Sequence, residues 1–275
     1  MSGSPNKNTG HHALVFDSGV GGLSVVSDMR LRLPGLHQSY VADDAFRPYG
    51  DKSEVQLRAR LPGLLFTLTE MLDPDIVVIA CNTASTTALR QIRAALDIPV
   101  IGVVPAIKPA AKASRSRTMG VLGTPGTVRR QYVDRLISDF ASDCEVVLRG
   151  STRLVAQAEA KLAGRVVDMS VIAEELAPLF AGQRGAQLDA VVLACTHFPL
   201  LREELQAVSR QSVQWIDSGA AIARRVETVL ANIEPRATLM RPETAFLIGP
   251  DAEAARVQAF ADYGFTRTVG LVPAP

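Results

Sequence analysis

Short apolar runs alternate with longer segments of helical periodicity along most of the chain. The clearest run, residues 75–80, is almost unbroken and of strand length, which is typical of a strand buried on both faces. It stops at Cys81-Asn82-Thr83, and a helical pattern follows from Thr86. Alternating strands and helices predict a doubly wound α/β fold with parallel sheets. Ligands bind in such folds beyond the carboxyl ends of the strands, which is where Cys81 falls.

The same apolar run occurs a second time, as Asp189-Ala-Val-Val-Leu-Ala-Cys-Thr-His197. Asp75 matches Asp189, and Cys81 matches Cys195, so the chain carries an internal duplication with a cysteine at equivalent strand ends. Two thiols in equivalent positions indicate a symmetric pair of acid/base groups that face one substrate.

The remaining elements follow the same pattern. Strands are predicted at 13–16, 38–42, 99–104, 118–122, 145–148, 189–194, 214–217 and 244–248, and helices at 53–72, 128–140, 151–162, 166–180, 219–232 and from 86, 198 and 251 onward. Three loops stand out between them. Asp17-Ser18 opens a glycine-rich turn that can present backbone N–H groups to a carboxylate or a phosphate, Tyr49-Gly50 follows Pro48, and Thr124 lies in a second glycine-containing loop.

Composition narrows the class of protein. At about 100–200 residues per domain, 275 residues favour two domains, and 47% hydrophobic residues can form a sizeable core. A net charge of +1 argues against a nucleic-acid partner, and no apolar run reaches the ~18 residues of a membrane span. Three cysteines without a signal peptide predict reduced thiols and a cytoplasmic location. No cluster has zinc spacing, so we expect no metal.

Four motifs in register resemble the glutamate-specific members of the cofactor-independent aspartate/glutamate racemase family. They are Phe16-Asp-Ser-Gly-Val-Gly-Gly-Leu23, Pro48-Tyr-Gly50, Ala80-Cys-Asn-Thr-Ala-Ser85 and Cys195-Thr-His-Phe-Pro-Leu200. The resemblance runs from Ala13 to about Arg225. It implies two α/β domains related by pseudo-twofold symmetry, with the active site in the cleft between them. It also implies glutamate as substrate, no cofactor, a homodimer, and a supply of D-glutamate for peptidoglycan, hence for cell wall and cell shape.

The domain boundaries combine the pattern with this resemblance. Residues 13–102 plus 214–275 are assigned to the first domain, 103–213 to the second, and 1–12 to a flexible lead.

Racemisation removes an α-proton from one face of the substrate and delivers a proton to the other. Two bases, one per face, avoid moving a single base around the substrate, and a thiolate forms near neutral pH when neighbours lower the thiol pKa from ~8.5. We therefore expect Cys81 and Cys195 to be the acid/base groups. By resemblance, Cys81 acts on the D-enantiomer and Cys195 on the L-enantiomer.

The resemblance also assigns helper and binding residues. Asp17 would assist near Cys81, and His197 and Glu159 near Cys195. The positions that match substrate-binding residues are Asp17, Ser18, Tyr49, Gly50, Asn82, Thr83, Thr124, Thr196 and His197. Three of these assignments have plainer alternatives: a solvated helix residue for Glu159, a core or capping histidine for His197, and an aromatic plug for Tyr49.

Two other functions stay open from the sequence. An aspartate racemase typically carries Glu where this chain has His197, which favours glutamate. A non-catalytic binding or regulatory protein on the same scaffold would be expected to lack one cysteine, and both are present.

Overall fold

A computed structural model describes residues 10–209, 211–235, 242–249 and 254–271. Its strands are β1 (His12–Asp17), β2 (His37–Ala42), β3 (Ile76–Ile79), β4 (Val100–Gly102), β5 (Thr118–Gly123), β6 (Glu145–Gly150), β7 (Ala190–Ala194), β8 (Gln214–Ile216), β9 (Thr244–Ile248) and β10 (Arg267–Leu271). Its helices are α1 (Leu23–Arg32), α2 (Glu54–Leu72), α3 (Asn82–Ala95), α4 (Ile107–Ala113), α5 (Pro125–Val128), α6 (Gln131–Phe140), α7 (Arg153–Leu162), α8 (Met169–Leu176), α9 (Gly182–Gln187), α10 (Arg202–Val208), α11 (Gly219–Leu230) and α12 (Ala254–Asp262). Short 3-10 segments join several of them.

The described strands form two parallel sheets. The first has the order β10-β9-β2-β1-β3-β4, and the second has the order β6-β5-β7-β8. All pairings within both sheets are parallel. The predicted α/β fold with doubly wound parallel sheets is therefore confirmed.

Each face of the first sheet is covered by its own hydrophobic core. Successive strand residues point to opposite faces, so Val15 and Val78 pack on one side, towards α1 and α11. Leu14 and Val77 pack on the other side, where the leucines of α2 and the alanines of α3 cover them. Burial on both faces explains why these strands are apolar throughout.

The second sheet repeats this arrangement on a smaller scale. Leu122 and Leu193 pack with α7 and α8 on one side. Val121 and Val192 pack with α4 and α6 on the other. The duplicated apolar runs are β3 and β7, each one strand in from the edge of its sheet, so Cys81 and Cys195 follow equivalent strands of the two sheets.

The structure corrects one domain boundary and one helix start. Gln214 pairs with Ala190, so β8 belongs to the second sheet, and the chain returns to the first only between Ile216 and α11. Helix α3 begins at Asn82 rather than near Thr86, because its first polar residues are buried against the rest of the fold instead of forming a loop.

Both ends of the chain also differ from the prediction. Strand β1 begins at His12 and His11 is 6% exposed, so the predicted lead of residues 1–12 ends in ordered, partly buried structure. Strand β10 was missed, and the predicted start of the last helix at Asp251 lies outside the described residues. None of the described helices combines the length and the apolar character needed to cross a bilayer.

Candidate active site

The two cysteines line one cavity of about 690 Å³ between the carboxyl ends of the two sheets. Cys81 is 5% exposed and Cys195 is 6% exposed, so both thiols are nearly excluded from bulk solvent. The cavity wall includes most of the residues singled out from the sequence: Ser18, Tyr49, Gly50, Cys81, Asn82, Thr83, Thr124, Glu159, Cys195, Thr196 and His197. Positions far apart in the chain therefore meet at one site.

Cys81 lies between the end of β3 and the first residue of α3. Its thiol points to the Ser18 hydroxyl, with Sγ 3.7 Å from Oγ. Burial raises the pKa of the Cys81 thiol, and the nearby negative charge of Asp17 raises this pKa further. Without substrate, Cys81 is therefore a protonated thiol, which is the form that can donate a proton.

Asp17 ends β1 and is fully buried beneath the cavity wall. The Ser18 N–H donates to Asp17 Oδ1 at 2.7 Å, and the Gly22 N–H donates to Oδ2 at 2.6 Å. Burial raises the pKa of Asp17, although the charge of His197 and these two N–H groups oppose the rise. Asp17 is not among the cavity-lining residues, so the arrangement supports its predicted place near Cys81 but not direct contact with substrate.

His197 connects Cys195 to Glu159. Its Nδ1 is 3.8 Å from Cys195 Sγ, and its Nε2 is 3.0 Å from Glu159 Oε1. Burial lowers the pKa of His197, but hydrogen bonds to Cys195 and Glu159 outweigh this and raise the pKa to about 10. The ring is therefore an imidazolium at neutral pH, and a positive charge beside a cysteine sulfur stabilises the thiolate.

Glu159 faces the cavity rather than solvent. It lies on α7, its side chain is 15% exposed, and it belongs to the cavity wall. Burial raises the pKa of Glu159, but the hydrogen bond and charge of His197, together with Arg47 and Arg256, lower the pKa to about 2. The alternative of a solvated helix residue does not fit these surroundings.

A glycine lets His197 approach the first domain. A Cβ atom built on Gly21 would lie 2.3 Å from His197 Nδ1, which no side chain could tolerate without moving the ring. The glycine-rich turn after β1 therefore receives the histidine of the opposite half, in addition to offering backbone N–H groups.

Hydroxyl groups from both halves also meet at the cavity wall. Thr83 Oγ1 lies 3.4 Å from Thr124 Oγ1 and 3.2 Å from Thr127 Oγ1, and the last two are 2.9 Å apart. Thr127 was not predicted from the sequence as a site residue. Its spacing of three from Thr124, at the start of a helix, is the pattern that could have indicated it.

The Tyr49 side chain forms part of the cavity wall, but its hydroxyl does not face the cavity. The ring is 2% exposed, and its O–H donates to Asp43 Oδ2 at 2.6 Å. Asp43 in turn accepts two hydrogen bonds from Arg60. The tyrosine therefore fits the alternative of an aromatic plug, and the backbone of the neighbouring Gly50 is left to face the cavity.

Two further cavity residues, Arg47 and Arg256, were missed from the sequence. Arg47 lies next to the recognised Pro48-Tyr-Gly50 motif, whereas Arg256 lies in the C-terminal part of the chain and no pattern pointed to it. Among residues 10–271 with their gaps, no group of three His, Cys, Asp or Glu side chains is placed to hold a metal ion.

Comparisons with known proteins agree with this geometry. A family model described as Asp/Glu/Hydantoin racemase matches residues 25–226. Glutamate racemase of Shewanella sp. (strain MR-7) is 51% identical over 218 residues, 79% of each chain. Glutamate racemase of Sphingopyxis alaskensis is 54% identical over 213 residues, 78% of this chain and 80% of the relative. The crystal structure of Escherichia coli glutamate racemase with L-glutamate and the activator UDP-MurNAc-ala matches with a TM-score of 0.90 at 41% identity, covering 95% of this chain and 98% of that one.

Proposed function

This chain belongs to the Asp/Glu/hydantoin racemase family, and on that premise we propose that Cys81 and Cys195 are the two acid/base groups with which it racemises glutamate. The enzyme interconverts L-glutamate and D-glutamate, and the D-enantiomer is used in peptidoglycan synthesis. The observation that carries the residue assignment is that both thiols, from equivalent strand ends of the two sheets, line one cavity.

In the direction from L to D, the Cys195 thiolate takes the α-proton from one face of L-glutamate. The electron pair of the broken C–H bond stays on the α-carbon, and the Cys81 thiol then delivers its own proton to the opposite face. This leaves a thiol at Cys195 and a thiolate at Cys81, which is the pair of states that D-glutamate requires. The reverse reaction or proton exchange with water restores the starting form.

The charges next to the two cysteines differ. The imidazolium of His197 lies beside Cys195, whereas the negative charge of Asp17 lies close to Cys81 and favours its protonated state. The substrate-free enzyme therefore has an acid at Cys81, and the opposite cysteine has a positive charge beside its sulfur.

The carbanion formed between the two steps needs positioned donors and excluded water. Backbone N–H groups at the start of α3 can bind a substrate carboxylate. In the glycine-rich turn, the N–H groups of Ser18 and Gly22 already donate to Asp17. The hydroxyls of Thr83, Thr124 and Thr196 add hydrogen-bonding groups around the same cavity. Donors of this kind suit a ligand that has two carboxylates.

Glutamate rather than aspartate is the substrate supported by the relatives, which are glutamate racemases at about half identity. A finer part of the proposal is a homodimer. The outer face of α2 exposes Val55, Phe66 and Met71, with relative exposures of 75%, 52% and 47%, and these apolar side chains favour contact with a second copy.

We also propose a cytoplasmic location. Cys81, Cys144 and Cys195 are all free cysteines, and the mechanism needs two of them as thiol and thiolate. Thiols stay reduced in the cytosol, so that compartment suits the chemistry.

The assignment is tested with wild type, Cys81→Ala and Cys195→Ala in deuterated water. Purified enzyme is given L-glutamate, D-glutamate or L-aspartate, and racemisation is followed by optical rotation and α-proton exchange by NMR. We expect racemisation of glutamate by wild type and a loss of at least about a hundredfold in each variant. Full racemisation by either variant would contradict the two-base scheme, and turnover of aspartate alone would contradict the substrate.

A further inference from the structure

Two arginines of the first half hold Glu159, which belongs to the second half. Arg47 Nη1 lies 3.1 Å from Glu159 Oε2, and Arg256 Nη2 lies 3.4 Å from the same oxygen. The other carboxylate oxygen, Oε1, is thereby left for His197 Nε2 at 3.0 Å. The two oxygens of Glu159 thus have separate partners, with the arginines on one side and the histidine on the other.

A second carboxylate fixes the two guanidinium groups relative to each other. Asp44 Oδ1 lies 2.9 Å from Arg47 Nε and also accepts a hydrogen bond from Arg256 Nη1. The side chains of Arg256, Asp44 and Glu159 are only 12%, 18% and 15% exposed, so their charges are weakly screened by solvent. We call Arg47, Arg256 and Asp44 the arginine clamp.

The clamp joins parts of the molecule that are separate in the fold. Arg47 follows β2, and Arg256 lies on α12, both on the side of the first sheet, whereas Glu159 lies on α7 of the second. The ion pairs therefore cross the cleft. Gly19 makes room for them, since a Cβ there would lie 3.3 Å from Glu159 Oε1 and 3.4 Å from Arg47 Cδ.

The charges argue against a role for the clamp as a substrate-carboxylate site. Both guanidinium groups already pair with carboxylates of the protein, those of Glu159 and Asp44. Replacing one of these partners with a substrate carboxylate would leave a partly buried carboxylate unpaired, which is costly.

We propose that Arg47 and Arg256 are positioning residues that hold Glu159 across the cleft, in the orientation that keeps His197 against Cys195. The proposal rests on the function proposed above, because it concerns the Cys195 half of the two-base reaction. It adds that the surroundings of Cys195 are completed by contacts across the cleft. The position of His197 beside Cys195 therefore depends on the two halves being in contact.

The clamp acts on one of the two proton transfers, and isotope effects can show which one. Proton transfer at Cys195 slows when His197 is no longer held, whereas transfer at Cys81 is unchanged. The two enantiomers have equal energy, so kcat/KM must stay equal in both directions. The deuterium isotope effect on kcat/KM, however, depends on which of the two proton transfers is slower, so it can differ between L-glutamate and D-glutamate as substrate.

The experiment uses Arg256→Gln, Arg47→Gln and the double variant, assayed with α-deuterated L- and D-glutamate. We expect kcat/KM to fall about tenfold in each single variant and about a hundredfold in the double variant. The isotope effect on kcat/KM should rise for L-glutamate, whose α-proton goes to Cys195, and fall for D-glutamate. Unchanged isotope effects at a reduced rate would mean a general structural defect and would overturn the proposal.

A double-mutant cycle tests whether the arginines act through Glu159. In a Glu159→Gln background, Arg256→Gln should have little further effect on kcat/KM. A full tenfold loss in that background would show that Arg256 acts by another route, such as direct contact with substrate, and would contradict the proposal.

Two control variants distinguish a loss of Glu159 positioning from a general effect of removing an arginine. Arg153→Gln removes an exposed arginine of the same helix as Glu159, paired with Glu174, and should retain wild-type kinetics. Arg256→Lys keeps the charge but loses the planar fork, and should recover part of the rate. If wild type itself fails to racemise glutamate, the proposed function fails. If wild type is active and the arginine variants match it, only the clamp proposal fails.

Discussion

Cys81 and Cys195 occupy equivalent positions, yet their surroundings carry opposite charges. Asp17 lies close to the first, and the His197 imidazolium lies beside the second. This asymmetry could not be read from the duplicated strands, which place both cysteines alike. It comes from the third residue of the second motif, His197, where the first motif has Thr83.

The pKa of His197 predicts a pH dependence of stability. Its value is raised from 6.5 to about 10 in the folded protein, so the stabilisation is fully present below pH 6.5 and is lost as pH rises towards 10. We expect His197→Gln to remove this decline. Urea unfolding of both proteins at pH 6, 8 and 10 measures it, and parallel free-energy curves for the two proteins would contradict the assignment.

Gly21 gives a second prediction at the scale of one residue. In Gly21→Ala, the added methyl group would occupy the place of the His197 ring, so the ring must leave Cys195. We expect kcat/KM to fall by about a hundredfold or more, because a positioned acid/base group contributes ~10²–10⁴. A steady-state racemisation assay checks this, and near-normal activity would show that His197 need not stay where it lies.

Some site residues were predictable from the chain and others were not. Cys81 and Cys195 end buried apolar strands, a local pattern, and Ser18 lies in a glycine-rich turn. Arg256 reaches the site only because α12 packs beside the first sheet and against α7, which depends on tertiary structure. Likewise, the Tyr49 hydroxyl turns away because it donates a hydrogen bond to Asp43, and no sequence pattern specified that pairing.

At the scale of elements, α2 shows how local signals set a helix. Ser53 accepts a hydrogen bond from the Gln56 N–H, and the Gln56 side chain accepts one from the Ser53 N–H, which forms a capping box. The predicted start at residue 53 was close for this reason. Helix α3 lacks such a cap, and its start at Asn82 depends on burial within the fold, so the predicted start was four residues late.

Gly63 within α2 offers a stabilising substitution. A Cβ there would meet no atom within 4 Å, and alanine has a higher helix propensity than glycine. We expect Gly63→Ala to raise the free energy of unfolding by about 0.5–1 kcal/mol with unchanged kcat/KM. Denaturant unfolding measures the first quantity. A loss of stability would contradict this expectation. Gly63→Ala also serves as a control for Gly21→Ala.

In the molecule as a whole, ion pairs link the two halves at more than one place. Arg130, in the second half, is 8% exposed and pairs with Glu54 at the start of α2. The arginine clamp is a second such link. The parallel sheets were predictable from alternating strands and helices, but the positions at which the chain passes between the two halves were not. Strand β8 was assigned to the wrong half because nothing in its sequence identifies β7 as its partner.

Removing the Arg130 contact should change substrate binding without changing the stability of the fold. In Arg130→Met, Glu54 keeps its second partner, Arg58, and an apolar chain replaces a guanidinium whose Nε has no hydrogen-bond partner. We expect little change in the free energy of unfolding but a several-fold rise in KM for glutamate, because the cleft closes less readily. Titration of initial rates measures KM, and an unchanged value would show that this contact does not hold the cleft closed.

In the two-base reaction one α-carbon lies between two sulfur atoms, and a crystal structure of the enzyme with bound glutamate measures this directly. We expect Cys81 Sγ and Cys195 Sγ on opposite faces of the α-carbon, each at about 3–3.5 Å. A structure with both sulfurs on the same face, or with either one out of reach of the α-carbon, would contradict it.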